Sequence, residues 1–207
     1  MLLNFSPNML KTYETCPKRF YLKYIKNITM PINDEIFEFG KNIHAMASYY
    51  LKKENIYKME KTLSEQENIV WNYLKNIEYF KYETIATEYN LSIKLNEYFY
   101  SGRLDALLKN SDIYYILDYK TGSAPKNAKY DFQTMIYLLL VSEFFKTNKV
   151  VFIYLDLKNK TEVKIELNEN LKNDYIKRII ETTTQIKNEQ FDKKSSNCKC
   201  EYNKICY

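Results

Sequence analysis

At 207 residues, 45% of them hydrophobic, the chain is long enough to bury a core of its own. No apolar run approaches the roughly 20 residues of a membrane span. The opening Met-Leu-Leu-Asn-Phe-Ser-Pro lacks the basic-then-apolar order of a secretory leader, so a cytoplasmic protein without a membrane segment is expected. The net charge of +5 suits a polyanionic partner without requiring one, and the 21 tyrosines fit an AT-rich coding bias better than a base-stacking surface.

Ser6-Pro7 is an N-cap followed by proline at the first helical position, and Leu10, Tyr13, Phe20 and Tyr24 then fall near helical spacing, with a break expected at Cys16-Pro17. A second helix is predicted from about Asp34 to Lys53, with Ile36, Phe39, Ile43, Met46, Ala47 and Tyr50 as its apolar face. Ser64-Glu65-Gln66-Glu67 has the form of a capping box and opens a third helix through Ile69, Val70, Tyr73, Leu74 and Ile77. The pattern then turns to strands over Tyr82–Leu95, Tyr98–Leu108 and Ile113–Lys120, joined as a meander with a polar turn at Lys109-Asn110-Ser111-Asp112. After the loop Thr121–Pro125 come an apolar helix over Asp131–Phe145, short strands at Val150–Leu155 and Glu162–Leu167, and a closing helix over Leu171–Lys187. This order predicts an α/β sheet sandwiched by helices.

The chemistry concentrates in the meander. Asp105 lies late on one strand, and Asp118 and Lys120 end its neighbour, where i and i+2 residues share a face. Two acids and a lysine converging are what a metal-dependent phosphodiester hydrolase needs: acids for a hard cation, lysine for the attacking water or the phosphate charge. Asp-x-Lys alone is a common strand ending, so the other residues decide its weight. His44 is the only histidine and follows Gly40 by one turn; a lone histidine is more often packed or solvated than ligating. Glu88 offers a further carboxylate or an ordinary solvent-facing strand residue. Gln133 and Tyr137 are spaced i, i+4, so they share a helix face just past the acids and could donate to a phosphate, or form the polar edge of an amphipathic helix. Cys198, Cys200 and Cys206 cluster, and Cys16 lies near the opposite end of the chain. Four cysteines in a reducing compartment suggest zinc or an iron–sulfur cluster more than disulfides.

In combination these residues resemble the RecB-like branch of the PD-(D/E)XK nuclease superfamily, and within it the iron–sulfur exonucleases of CRISPR adaptation and the AddB nuclease domain. The resemblance runs from the Cys16 segment through Gly40-Lys-Asn-Ile-His44, Glu88, Gly102-Arg-Leu-Asp105, Asp118-Tyr-Lys120 and Gln133-Thr-Met-Ile-Tyr137 to the terminal cysteines. It implies a restriction-endonuclease-like mixed β-sheet flanked by helices in a single nuclease domain over 1–207. A helical part over 1–80 and a core over 81–190 would precede a cysteine-rich segment over 191–207 that is stapled to Cys16. It further implies that His44, Asp105, Asp118 and the Tyr119 carbonyl bind Mn²⁺ or Mg²⁺, that Glu88 and Lys120 serve catalysis, and that Gln133 and Tyr137 contact DNA. Cys16, Cys198, Cys200 and Cys206 would hold a 4Fe–4S cluster. A single residue between Cys198 and Cys200, where the family has two, keeps zinc as the alternative. The expected activity is a single-stranded DNA exonuclease in CRISPR-based antiviral defence or DNA repair and recombination, beside an adaptation integrase or a separate helicase. The chain has no phosphate-binding G-x-x-x-x-G-K-[ST] loop of its own. A catalytically silent nucleic-acid-binding subunit with a structural metal is the alternative.

Overall fold

The chain begins its regular structure with a two-residue strand, β1 (Asn4–Phe5), and continues into α1 (Pro7–Thr15). The computed structural model describes residues 4–31, 35–194 and 200–206. Ser6 caps α1 by accepting from the Met9 amide at 3.3 Å, and Pro7 sits where a missing N–H costs nothing. The helix stops at Cys16, whose extended φ of −160° is what a following proline demands. Next come α2 (Pro17–Phe20), a π-helical turn over Tyr21–Ile25, α3 (Glu35–Leu51), α4 (Tyr57–Glu60) and α5 (Glu65–Asn76). The Ser64–Glu67 capping box forms as expected.

The strands are β2 (Glu83–Leu95), β3 (Tyr98–Asn110) and β4 (Ile113–Lys120), then α6 (Phe132–Phe145), β5 (Val150–Asp156), β6 (Thr161–Glu166) and α7 (Glu169–Lys187). β2, β3 and β4 form the expected antiparallel meander, the second turn being tighter than read from sequence because Asn110 already pairs with Ile113. β4 runs parallel to β5, which requires a crossover, and α6 supplies it. β1 adds parallel to the start of β3, and β6 closes the far edge antiparallel to β5. The result is a mixed sheet flanked by helices.

Each face of the sheet carries its own apolar layer. On one face α1, α6 and α7 pack against Leu104, Leu107, Ile116, Phe152 and Tyr154. On the other, α3 and α5 bring Ile43, Met46, Ala47, Val70, Trp71 and Leu74 onto Ala106, Leu117, Ile153 and Leu155. α6 lies between the sheet and two other helices, so it is apolar on nearly every side. Two expected core positions differ. Ile69 is 50% exposed, because α5 turns Trp71 inward instead and ties its indole N–H to Glu60 at 2.7 Å; Tyr50 sits at the rim of the α3 face. The side chain of Ile36 lies outside the described residues. Neither β1 nor α4 was foreseen, both being too short to show a period.

Candidate active site

The meander delivers the acids to one end of the sheet. Ala106 and Leu117 are the last paired residues of β3 and β4 on this side, so Asp105 and Asp118 sit where the two strands begin to part. Asp105 Oδ2 accepts from the Tyr119 amide at 2.9 Å, and Asp105 Oδ1 lies 3.4 Å from His44 Nδ1. His44 comes from α3 and places Nε2 3.0 Å from the Tyr119 carbonyl oxygen. Burial opposes protonation of His44, but the hydrogen bond and charge of Asp105, with the Tyr119 carbonyl and Asp118, outweigh it and hold the imidazole above its usual value. His44, Glu88 and Asp105 each offer a ligand atom within 4.8 Å of the others.

Asp118 is 2% exposed. Burial first, then the charge of Asp105, push its carboxyl up to about 6 against the pull of Lys120. Its Oδ1 accepts from the Gln133 amide nitrogen. Its Oδ2 is buried without a well-directed hydrogen bond, the Lys120 ammonium standing 2.8 Å away as a charge. Lys120 Nζ donates to Gln133 Oε1 at 2.9 Å and lies 5.3 Å above the Tyr154 ring. The Gln133 amide therefore clasps both members of the Asp-x-Lys pair, which share a face as their spacing required.

Gln133 and Tyr137 also share a face of α6. In this structure both direct their polar atoms inward. Tyr137 is buried, and its hydroxyl donates to the Arg103 carbonyl at 2.8 Å. The ring lies so close to Gly102 that a Cβ there would stand 3.0 Å from Cδ1, so this position excludes any larger residue without displacement of Tyr137. Gly40, by contrast, would meet Thr121 only at 3.5 Å, an ordinary contact.

A cleft of 690 Å³ opens at His44 and Glu88, lined also by Gly40, Lys41, Lys52 and Arg103. Three cations at its rim suit a phosphate backbone. A larger cavity of 1280 Å³, between Tyr50, Tyr57 and Tyr82, holds no comparable cluster among the described residues. Sequence reasoning missed Lys41, Lys52 and Arg103 as cleft residues. Arg103 was visible inside the Gly-Arg-Leu-Asp motif, whereas nothing distinguishes Lys41 and Lys52 from other helix-surface lysines.

The chain ends meet elsewhere. Cys16 and Cys206 are buried, and Leu22, Tyr202 and Cys206 form a small apolar cluster with Cys200 at its edge. Arg19 reaches Glu201 through Nη2 at 2.7 Å and Nε at 3.0 Å, Tyr202 donates to the Ile28 carbonyl at 2.8 Å, and Lys193 to the Cys206 carbonyl at 2.9 Å. Cys198 lies outside the described residues.

A model of the PD-(D/E)XK nuclease superfamily matches residues 4–207. The chain is 29% identical over 129 residues to the CRISPR-associated exonuclease Cas4 of Francisella tularensis subsp. novicida (strain U112), a match covering 60% of this chain and 64% of that protein. It thus spans less than two thirds of that relative's length. Among solved structures, a protein of Eubacterium rectale provisionally named an exonuclease superposes with a TM-score of 0.60 at 12% identity, over 96% of this chain and 86% of that one, which is a likeness of fold.

Proposed function

This chain belongs to the PD-(D/E)XK nuclease superfamily; on that footing we propose that it is a metal-dependent phosphodiester hydrolase acting on DNA, an exonuclease of single-stranded ends. The observation that carries the reading is the convergence of Asp118, Lys120 and Gln133 beside Asp105, His44 and Glu88. The name of the Francisella relative, a CRISPR-associated exonuclease, supports the exonuclease mode and a CRISPR setting; within it CRISPR adaptation is the preferred place, with DNA repair as the other setting. An adaptation integrase or a separate helicase would be the partner, and the cytoplasm the location. Among the described residues no helix is long and apolar enough to cross a membrane.

A divalent cation fits the donors present. Carboxylate and carbonyl oxygens with one imidazole suit Mn²⁺ or Mg²⁺. Asp118 Oδ2 is a buried anionic oxygen facing Lys120 at 2.8 Å, and its proton affinity is raised by burial first and by the charge of Asp105 second. His44, Asp105, Asp118 and the Tyr119 carbonyl would hold the ion, with Glu88 in reach. Such an ion polarises the phosphate and acidifies a bound water. Lys120, fixed by Asp118 and Gln133, would place the water or neutralise a phosphate oxygen. Gln133 would hold Lys120 in line, and Tyr137 would fix β3 against α6 through the Arg103 carbonyl.

The docking of the Cys200–Cys206 tail on the Cys16 segment supports a centre held by Cys16, Cys198, Cys200 and Cys206. A 4Fe–4S cluster is the preferred reading, and the whole of 1–207 would then be one nuclease unit with its ends pinned. Asp118→Ala should abolish degradation of single-stranded DNA in Mn²⁺ while the fold persists. A variant that cleaves at the wild-type rate would remove the reading, and a wild-type chain that binds DNA but never cleaves it would favour the silent-subunit alternative.

A further inference from the structure

Arg103 stands at the mouth of the cleft with its side chain 62% exposed and directs Nε at Glu88 Oε2, 2.7 Å away. The same carboxylate belongs to the group whose ligand atoms converge with those of His44 and Asp105. The Glu88 carboxylate is thus paired with Arg103 and also placed where it could join His44 and Asp105 around a cation.

The backbone is shaped around this choice. Glu88 has φ of 51°, a left-handed conformation that long side chains seldom adopt, in the interior of β2. The ladder runs from Thr87–Ala106 to Tyr89–Leu104 and omits the rung between them, Glu88 opposite Asp105. Leu104 packs into one apolar layer and Ala106 into the other, so the strand's alternation breaks at Asp105. Arg103 is rooted firmly on the far side of the break. Its carbonyl is held by Tyr137, and Gly102 before it is pressed against the Tyr137 ring. A fixed root and an exposed guanidinium allow the head to change partner without moving the strand.

We propose that Glu88 and Arg103 form a latch that couples cation binding to capture of the DNA backbone; it rests on the metal-dependent nuclease reading above. In the metal-free chain Arg103 neutralises Glu88. When a dication takes up the Glu88 carboxylate, the guanidinium is released toward a phosphate, which it matches in planar, paired hydrogen bonds. Its ligand is a phosphodiester group of any sequence. The coupling is reciprocal, so DNA raises cation affinity by the factor by which the cation raises DNA affinity. An exposed pair of this kind is worth up to about a five-fold effect.

The test uses the full chain in a Lys120→Ala background, which keeps every cation ligand and stops turnover. Binding of a single-stranded oligonucleotide is followed by anisotropy in EDTA and in Mn²⁺, and Mn²⁺ binding by calorimetry. Arg103→Met should bind Mn²⁺ up to about five-fold more tightly while losing DNA affinity and about one unit of salt slope. Arg103→Lys should keep the salt slope. Glu88→Gln should raise metal-free DNA affinity and shrink the further gain from Mn²⁺. If Arg103→Met leaves both the Mn²⁺ affinity and the salt slope unchanged, or Glu88→Gln leaves metal-free DNA binding unchanged, the latch is wrong and the pair is structural. Cleavage by the wild-type chain that needs no added cation would instead overturn the reading beneath it.

Discussion

Asparagine at Asp118 separates the cost of a buried charge from its use. The carboxyl is 2% exposed and titrates at about 6 instead of the usual 3.8, burial being the main cause. Below about pH 4 the folded and unfolded chains both carry this proton. Between there and pH 6 the unfolded chain releases it while the folded chain retains it, so stability falls as pH rises through that window. At about 1.4 kcal/mol per tenfold change in proton affinity, the ionised group costs the metal-free fold about 3 kcal/mol above pH 7. Asp118→Asn removes the charge and keeps an oxygen for the Gln133 amide, but it sets its own NH2 against the Lys120 ammonium, so the gain from the charge alone is an upper bound. In EDTA at pH 8 it should therefore raise stability by up to about 3 kcal/mol, a gain in Tm of at most about 6–12 °C for a chain of this size, and at pH 4 it should change little. Mn²⁺ at about a hundred times Kd should stabilise the wild type by about 2.7 kcal/mol and leave the variant unmoved. Calorimetric melts at the two pH values, with EDTA and with Mn²⁺, read all four quantities. A variant less stable than wild type at pH 8 in EDTA, or one with an intact Mn²⁺ shift, would refute Asp118 as a strained cation ligand.

Gly102→Ala should cost about 1–3 kcal/mol by driving a methyl into the Tyr137 ring, measurable by urea denaturation, and a second substitution, Tyr137→Leu, should recover part of the loss. Gln133→Ala should leave Mn²⁺ binding by calorimetry unchanged yet slow cleavage at least ten-fold, since Lys120 loses its 2.9 Å clasp; cleavage at the wild-type rate would deny Gln133 a positioning role. Protein purified without oxygen should be brown and contain iron and sulfide, with zinc alone in colourless protein marking the tetrahedral alternative. Cys16→Ser should speed proteolysis near Lys18 and near Lys193-Lys194, and unchanged digestion would show that the ends are held by Arg19–Glu201 and apolar packing alone.

Features governed by neighbours in sequence were legible in advance. Ser6 and Ser64 cap because the acceptor and the amide lie three residues apart. Asp118 and Lys120 meet because a strand repeats every two residues. The α/β sheet between helices followed from the order of the elements, and its mixed character from the family resemblance. What depends on distant packing was not legible. That α5 buries Trp71 and exposes Ile69 follows from where Glu60 stands. Gln133 and Tyr137 were correctly set on one face, but a spacing cannot say that one clasps an Asp–Lys pair and the other holds a strand carbonyl. The approach of His44 to Asp105 came only from the family resemblance, since nothing local ties α3 to β3. The positive φ of Glu88 has no signature in the residues around it.

β2 has a second consequence, for association between molecules. It is thirteen residues long and, among the described strands, bonds only β3, which leaves its other side open. A straight, open ribbon of that length is a template on which another copy can add a strand. β2 is not straight. Its pairing with β3 shifts register between Thr84 and Ala86, and a few residues on it bends again at Glu88. Two irregularities so close together interrupt the row of free amides and carbonyls, as bulged edges do in sheets that remain monomeric. The distortion that turns Glu88 toward the acids thus also makes this edge a poor template for a further strand.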